Sequence, residues 1–181
     1  MNFKFIPVSF FVKIKHWQLF LLVILPVLLP TFIGIQTPYY FISFAVTMIF
    51  FIVVLCGWLY SMGVMLHPKL PSDVKLNVRK FKAFLLIAVA YMILVSVMML
   101  GVATGIVKPQ GVMPALFLII IPLHLFSMFA MFYSLYFVAK ELTASEKQAP
   151  ADFVGEFFLL WFFPIGVWII QPRVNRLFLA S

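Results

Sequence analysis

Long uncharged apolar stretches occupy positions 19–35, 41–66, 83–107 and 116–139, separated by short polar ones, and none of the four contains Asp, Glu, Lys or Arg. A bilayer core ~30 Å thick takes roughly 20 helical residues, so each stretch predicts a membrane-spanning helix. A fifth apolar stretch, 157–170, has only 14 residues, with Pro164 and Gly166 near its middle. At ~1.5 Å per residue it reaches about 21 Å, short of a bilayer core. It predicts a re-entrant or interfacial element. The alternative is a fifth crossing that recruits 153–155 and carries Arg173 and Arg176 to the opposite side. The expected fold is all-α: an integral membrane four-helix bundle with a short re-entrant or interfacial C-terminal element, 1–181 forming a single transmembrane domain.

The polar interruptions refine this picture. Pro26 and Pro30, one turn apart in the first span, each free a carbonyl four residues earlier. In lipid such a carbonyl needs a partner, which predicts a kinked helix packed against a neighbour. Gly57 and Ser61 in span two, and Gly101 and Gly105 in span three, have the spacing that lets helices approach closely. Packing inside the bundle is the plain role, and self-association the other. Pro68 and Pro71 end span two, and Ser72 or Asp73 is placed to cap a new helix. Along 74–82, Val74, Val78 and Phe81 then share one face and Lys75, Arg79 and Lys82 another. That pattern predicts a short basic amphipathic helix on an anionic membrane surface. Residues 36–40 form an uncharged turn, and Lys108, Pro109, Gly111 and Pro114 mark the loop between spans three and four. Lys4, Lys13 and Lys15 among Phe residues make 1–16 an interfacial lead-in to an uncleaved first span, with Trp17 at headgroup level.

Composition and charge follow from the membrane. The chain is 65% hydrophobic and 10% charged, with a net charge of +8. Cations gather on the cytoplasmic ends of spans, which explains the charge without nucleic acid. With four spans, both termini and the 67–82 and 140–156 connections share a side. That side holds all but Lys108 of the 13 Lys and Arg residues, so it is expected to be cytoplasmic. The expected partners are membrane lipids, anionic on that side and met by Lys75, Arg79 and Lys82, together with a membrane protein partner or a second copy.

Candidate chemistry is sparse. The sequence lacks the His-Glu-x-x-His pattern of zinc proteases and has no acid within a span, so no catalytic, cofactor or metal residue is expected. His124, mid-span and two residues after Pro122, is the most informative polar position. Ionisable groups at that depth face a bundle interior or cavity. The functional reading is a ligand contact or proton-handling group. The structural reading, weighted above it, is a neutral imidazole bonding a carbonyl freed by a proline. Cys56 reads as packing, and as the single cysteine it excludes a disulfide within the chain. His16 and His67 read as solvated interface residues, and Glu141, Glu146, Asp152 and Glu156 as a solvated loop rather than a cation site. Gln171 and Arg173 form a candidate C-terminal contact site, the plainer role being a headgroup-level turn anchored by Arg173.

The segment Lys15-His16-Trp17-Gln18 and the ending Phe163-Pro164-Ile165-Gly166-Val167-Trp168 … Gln171-Pro172-Arg173-Val174-Asn175 resemble those of small uncharacterised bacterial polytopic membrane proteins. The resemblance covers the ends better than the middle. It implies a bacterial inner membrane and carries over no activity and no site residue. The function expected is a non-enzymatic membrane protein working through protein partners, as a small subunit or assembly factor. The alternative is transport or lipid handling through a cavity near His124, with a membrane-embedded enzyme third.

Overall fold

The computed structural model describes residues 8–33, 37–107, 113–146 and 152–179. The lead-in cation Lys4, the turn at 34–36, the 108–112 loop with Lys108, Pro109 and Gly111, and Lys147 lie outside the described residues. The elements are α1 (Phe10–Lys13), α2 (His16–Ile33), α3 (Pro38–Met65), a 3-10 turn (His67–Lys69), α4 (Val78–Ala103), α5 (Met113–Ser145), α6 (Phe153–Trp161) and α7 (Phe163–Leu179). Four of them, α2 to α5, are long and apolar enough to cross a membrane. The chain is therefore an all-α polytopic membrane protein built on a four-helix bundle. Neighbours in sequence pack as neighbours in space: α2 on α3, α3 on α4, α4 on α5.

The proline argument holds at one carbonyl. Pro30 has no N–H to give the Pro26 carbonyl, and the Thr47 hydroxyl of α3 donates to it instead at 2.9 Å. Thr47 is buried between the helices, so this bond also joins α2 to α3. The glycines divide by role. A Cβ on Gly57 would lie 2.6 Å from the Phe11 ring, and one on Gly63 would lie 2.5 Å from the Phe81 ring. Both positions on α3 are bare so that an aromatic ring can seat there. Gly105 is not a packing residue: at φ 73° it takes the left-handed conformation that ends α4.

The basic segment 74–82 is not a surface helix. Residues 74–77 are non-helical, and α4 begins at Val78, capped by Asn77, whose side chain accepts from the Lys80 N–H. Asn caps as well as Ser or Asp, and it sits where the helix can continue directly into the span. Phe81 does not dip toward headgroups. It is fully buried and stacks on Phe137 of α5 with ring centroids 4.5 Å apart.

The C-terminal element is longer than expected and folds as two helices. Phe162, at ψ 58°, breaks the path between α6 and α7, and Pro164 has no N–H to carry one helix across. A Cβ on Gly166 would fall 1.6 Å from the Leu159 carbonyl oxygen, so only glycine permits this close return. Arg173 on α7 lies against Glu146 at the end of α5 and Glu156 at the start of α6. The element thus doubles back on itself, returning Arg173 to the polar connection from which α6 starts. Gln171-Pro172-Arg173 is not a turn; α7 runs through it.

The core gathers at this end of the bundle. Trp58, Leu59, Met62 and Leu66 on α3, Phe137, Val138 and Leu142 on α5, and Val167, Ile170 and Val174 on α7 are all buried. The helices outside the four spans, α1, α6 and α7, pack at this end. Toward the other end α5 is largely uncovered, from Leu118 at 79% exposure to Phe129 at 57%.

Thr47→Val should cost about 1 kcal/mol of stability, the scale of one interhelical hydrogen bond in a membrane. Combined with Pro30→Ala, which restores the helical N–H to the Pro26 carbonyl, the same substitution should cost much less. Unfolding in mixed micelles measures both; strictly additive losses would show that the Thr47 bond does not replace the missing helical one.

Candidate functional site

Between α1 and α2 the helix stops at Lys13 and restarts at His16, which leaves the carbonyls of Phe11, Val12 and Ile14 without helical donors. Side-chain amides from α7 supply them. Gln171 Nε2 donates to the Phe11 carbonyl at 2.9 Å and the Ile14 carbonyl at 2.8 Å. Asn175, one turn further on, donates from Nδ2 to Val12 at 2.8 Å and Ile14 at 3.2 Å. Residues four apart share a helix face, so both amides reach the same break. The Gln171 Oε1 accepts from the Trp58 indole N–H at 2.7 Å. Gln171 is fully buried, and both hydrogens of its amide are used. The expected contact site at Gln171 therefore exists, and its contacts are the chain's own N-terminal segment.

Arg173, two residues on, turns to the other side of α7. Its Nε donates to Glu146 Oε1 at 3.1 Å, and Nη2 pairs with Glu146 Oε2. Nη1 donates to Glu156 Oε2 at 2.9 Å, while Nη2 lies 2.7 Å from Glu156 Oε1. The fork geometry of guanidinium suits two carboxylates at once. The Glu146 hydrogen bond outweighs desolvation and, with Glu156, raises the guanidinium pKa above its ordinary value. Arg173 is therefore a permanent cation locking α5, α6 and α7, not a headgroup anchor.

Of the four acids Asp152 is exposed as expected, but the other three are not solvated, Glu146 being held by Arg173. Glu156 is buried at 6% exposure, and Glu141 is fully buried on the last turns of α5. Glu141 Oε1 is 2.9 Å from His67 Nδ1, which joins the 3-10 turn to α5, while Oε2 has no hydrogen-bond partner among the described residues. His67 also lies over the Phe137 ring. Lys69, in the same turn, donates from Nζ to the Leu177 carbonyl near the end of α7 and sits over the Phe178 ring. The cysteine, Cys56, is buried in the α3 core.

His124 departs from expectation in two ways. Its partner is a side chain, the Tyr91 hydroxyl of α4, 2.9 Å from Nδ1, not a proline-freed carbonyl. Tyr91 is buried, but His124 itself is exposed on the outer surface of the bundle. The reason is local: Ser127 and Ala130, not His124, occupy the inward positions of this stretch of α5. The imidazole lies on the bundle's rim and reaches back to the hydroxyl. Tyr91, Asn175 and Glu141 were all missed as site residues. Only Asn175 carried a local signal, the four-residue spacing from Gln171.

The cations expected to meet lipid, Lys75, Arg79 and Lys82, are all exposed. Lys82 also lies over the Tyr60 ring at 5.6 Å. Lys13, Lys15, Lys69, Lys80 and Arg176 are exposed as well. The contacts of Gln171 with α1, of Lys69 with α7 and of Arg173 with α5 place these segments at one end of the molecule.

Gln171→Leu should destabilise the protein by roughly 2–4 kcal/mol, because it strands the Phe11 carbonyl and the Trp58 indole N–H in a dry interior and leaves the Ile14 carbonyl only Asn175. Trypsin cleavage at Lys13 and Lys15 should accelerate as α1 comes free, whereas Asn175→Ala should have a smaller effect. Unchanged cleavage and melting in Gln171→Leu would contradict this account of the tie.

Compared with protein-family models, with curated proteins and with solved structures, the chain matches none of them.

Proposed function

We propose that this chain is a non-enzymatic component of a bacterial cytoplasmic membrane that works through protein partners, as a small subunit or assembly factor. Both termini lie in the cytoplasm, at the end of the bundle where the exposed cations gather, and those cations meet anionic lipid. The observation that carries this reading is His124. A polar ring at mid-span on the outer face of a helix is costly to leave against lipid tails, and another protein can supply what lipid cannot. The interior polar groups support it too, since Gln171, Asn175 and Arg173 are spent on tying the chain to itself.

The direct experiment is cross-linking in intact membranes, followed by purification in mild detergent and identification of bound proteins and lipids. The expected result is a membrane protein, or another copy of this chain, held at stoichiometric level. Transport or lipid handling is the rival. The groove beside α2, lined by Trp17, Leu21, Leu25, Pro26 and Phe50, is apolar and suits an acyl chain. Preparations of this chain alone, free of other proteins, that move lipid or solute across vesicles would favour that rival and overturn the partner reading.

Charge at the basic end gives a separate expectation. Each cation close to an anionic surface contributes ~1 kcal/mol, and screening acts within about 10 Å at 0.1 M salt. Replacing Lys75, Arg79 and Lys82 together by Gln should reduce retention of anionic lipid on purification, and raised salt should do the same to the parent. Lipid retention indifferent to both would rule out this role for the three residues.

A further inference from the structure

The groove along α2 has two unlike ends. Trp17 and Gln18 line it next to the break between α1 and α2, Leu21, Leu25 and Pro26 continue it, and Phe50 of α3 forms its far wall. From position 17 to position 26 it extends about 13 Å at ~1.5 Å per residue. That is close to half of a bilayer core ~30 Å thick, so it covers one leaflet. Past Gln18 its lining side chains are all apolar, and no acid lines it. The mouth is polar and basic. Lys13 and Lys15 are exposed just ahead of it, where α1 ends and α2 begins. The Lys15 N–H donates to Gln18 Oε1 at 2.9 Å, which fixes that side chain at the mouth. The Gln18 amide hydrogens and the Trp17 indole N–H have no acceptor among the described residues.

Resting on the cytoplasmic placement of the basic end proposed above, we propose that this groove is a binding site for one anionic phospholipid of the cytoplasmic leaflet. One acyl chain lies along Leu21, Leu25 and Pro26. The phosphodiester sits at the mouth, where Trp17 and Gln18 donate hydrogen bonds and Lys15 and Lys13 supply charge. Three properties select this occupant. A partner's spanning helix needs a face as long as the whole core, whereas one leaflet is the reach of one lipid. The order of the lining, donors first and apolar side chains after, is the order of a phospholipid entering from the cytoplasmic face, with Trp17 at the depth indoles favour. Two cations without an acid complement an anionic headgroup, and basic recesses at the cytoplasmic ends of spans bind such headgroups. The groove ends near the middle of the bilayer, so it holds a lipid in its own leaflet and offers no path across. The site is thus a fixed ligand site, compatible with a partner bound elsewhere.

The test uses the full chain in phosphatidylcholine vesicles containing a minor fraction of phosphatidylglycerol, with one or the other lipid brominated on its acyl chains. The difference in fluorescence between the parent and Trp17→Phe isolates the Trp17 signal. Brominated phosphatidylglycerol should quench Trp17 more strongly than brominated phosphatidylcholine at the same fraction, and the quenching should saturate as for a single site. Lys13→Gln and Lys15→Gln should each weaken this preference about five-fold, the effect of one cation near an anionic lipid. Joint replacement of Lys75, Arg79 and Lys82 by Gln should leave it near the parent. Leu25→Phe, which puts a ring in the apolar length, should reduce quenching by both lipids. Melting temperatures at the parental value confirm folded variants. Equal quenching by both headgroups, a preference that follows Lys75, Arg79 and Lys82 instead of Lys13 and Lys15, or quenching untouched by Leu25→Phe would each overturn the site. None of these results touches the partner reading, which the cross-linking experiment tests separately.

Discussion

A peptide group inside a bilayer has no water to bond, so every break in a helix must be repaired from within the protein. This constraint organises the structure. The carbonyl that Pro30 leaves free is closed by Thr47. The break between α1 and α2 is closed by Gln171 and Asn175. A carbonyl near the end of α7 is met by Lys69. Each repair comes from a distant part of the chain, and so each also fixes one helix against another. Polar side chains that would be unremarkable in water become the tertiary fasteners of an otherwise apolar bundle.

Apart from the Thr47 bond the repairs cluster at one end, and packing follows them. There α1, α6 and α7 bring Phe11, Leu160 and Ile170 into the same core as Trp58 and Phe137. The Arg173 pairs with Glu146 and Glu156 draw α5, α6 and α7 together at their polar ends. The opposite half has only the spans, and α5 is bare along much of it. A molecule closed by its own contacts at one end and open at the other has its unused surface at membrane depth. That surface contains a single imidazole among aliphatic and aromatic side chains.

The spans were legible because an uncharged run of this length has few other uses, and the free carbonyl in α2 because proline's missing N–H is a local fact. The acid pairs were not legible. Glu141 meets His67 across 74 positions and Trp58 meets Gln171 across 113, and no local pattern encodes such separations. The segment 74–82 was misread because its amphipathic spacing is real but belongs to the first turns of α4, where Phe81 finds Phe137 instead of lipid. His124 was placed inward by an argument about cost that counted only one chain. The cost is real, but the interior position went to Ser127, and the outward imidazole is met by the Tyr91 hydroxyl of α4.

The central claim is that the N-terminal segment and α7 are bound to each other at one end of the bundle, so that the chain returns to the side where it began. Spin labels at Lys13→Cys and Arg176→Cys, both exposed positions, measure this in lipid nanodiscs by pulsed dipolar spectroscopy. The account predicts one short, narrow distance distribution that broadens in the Gln171→Leu background. A separation on the order of the bilayer core, ~30 Å or more, or a broad distribution in the parent, would contradict it.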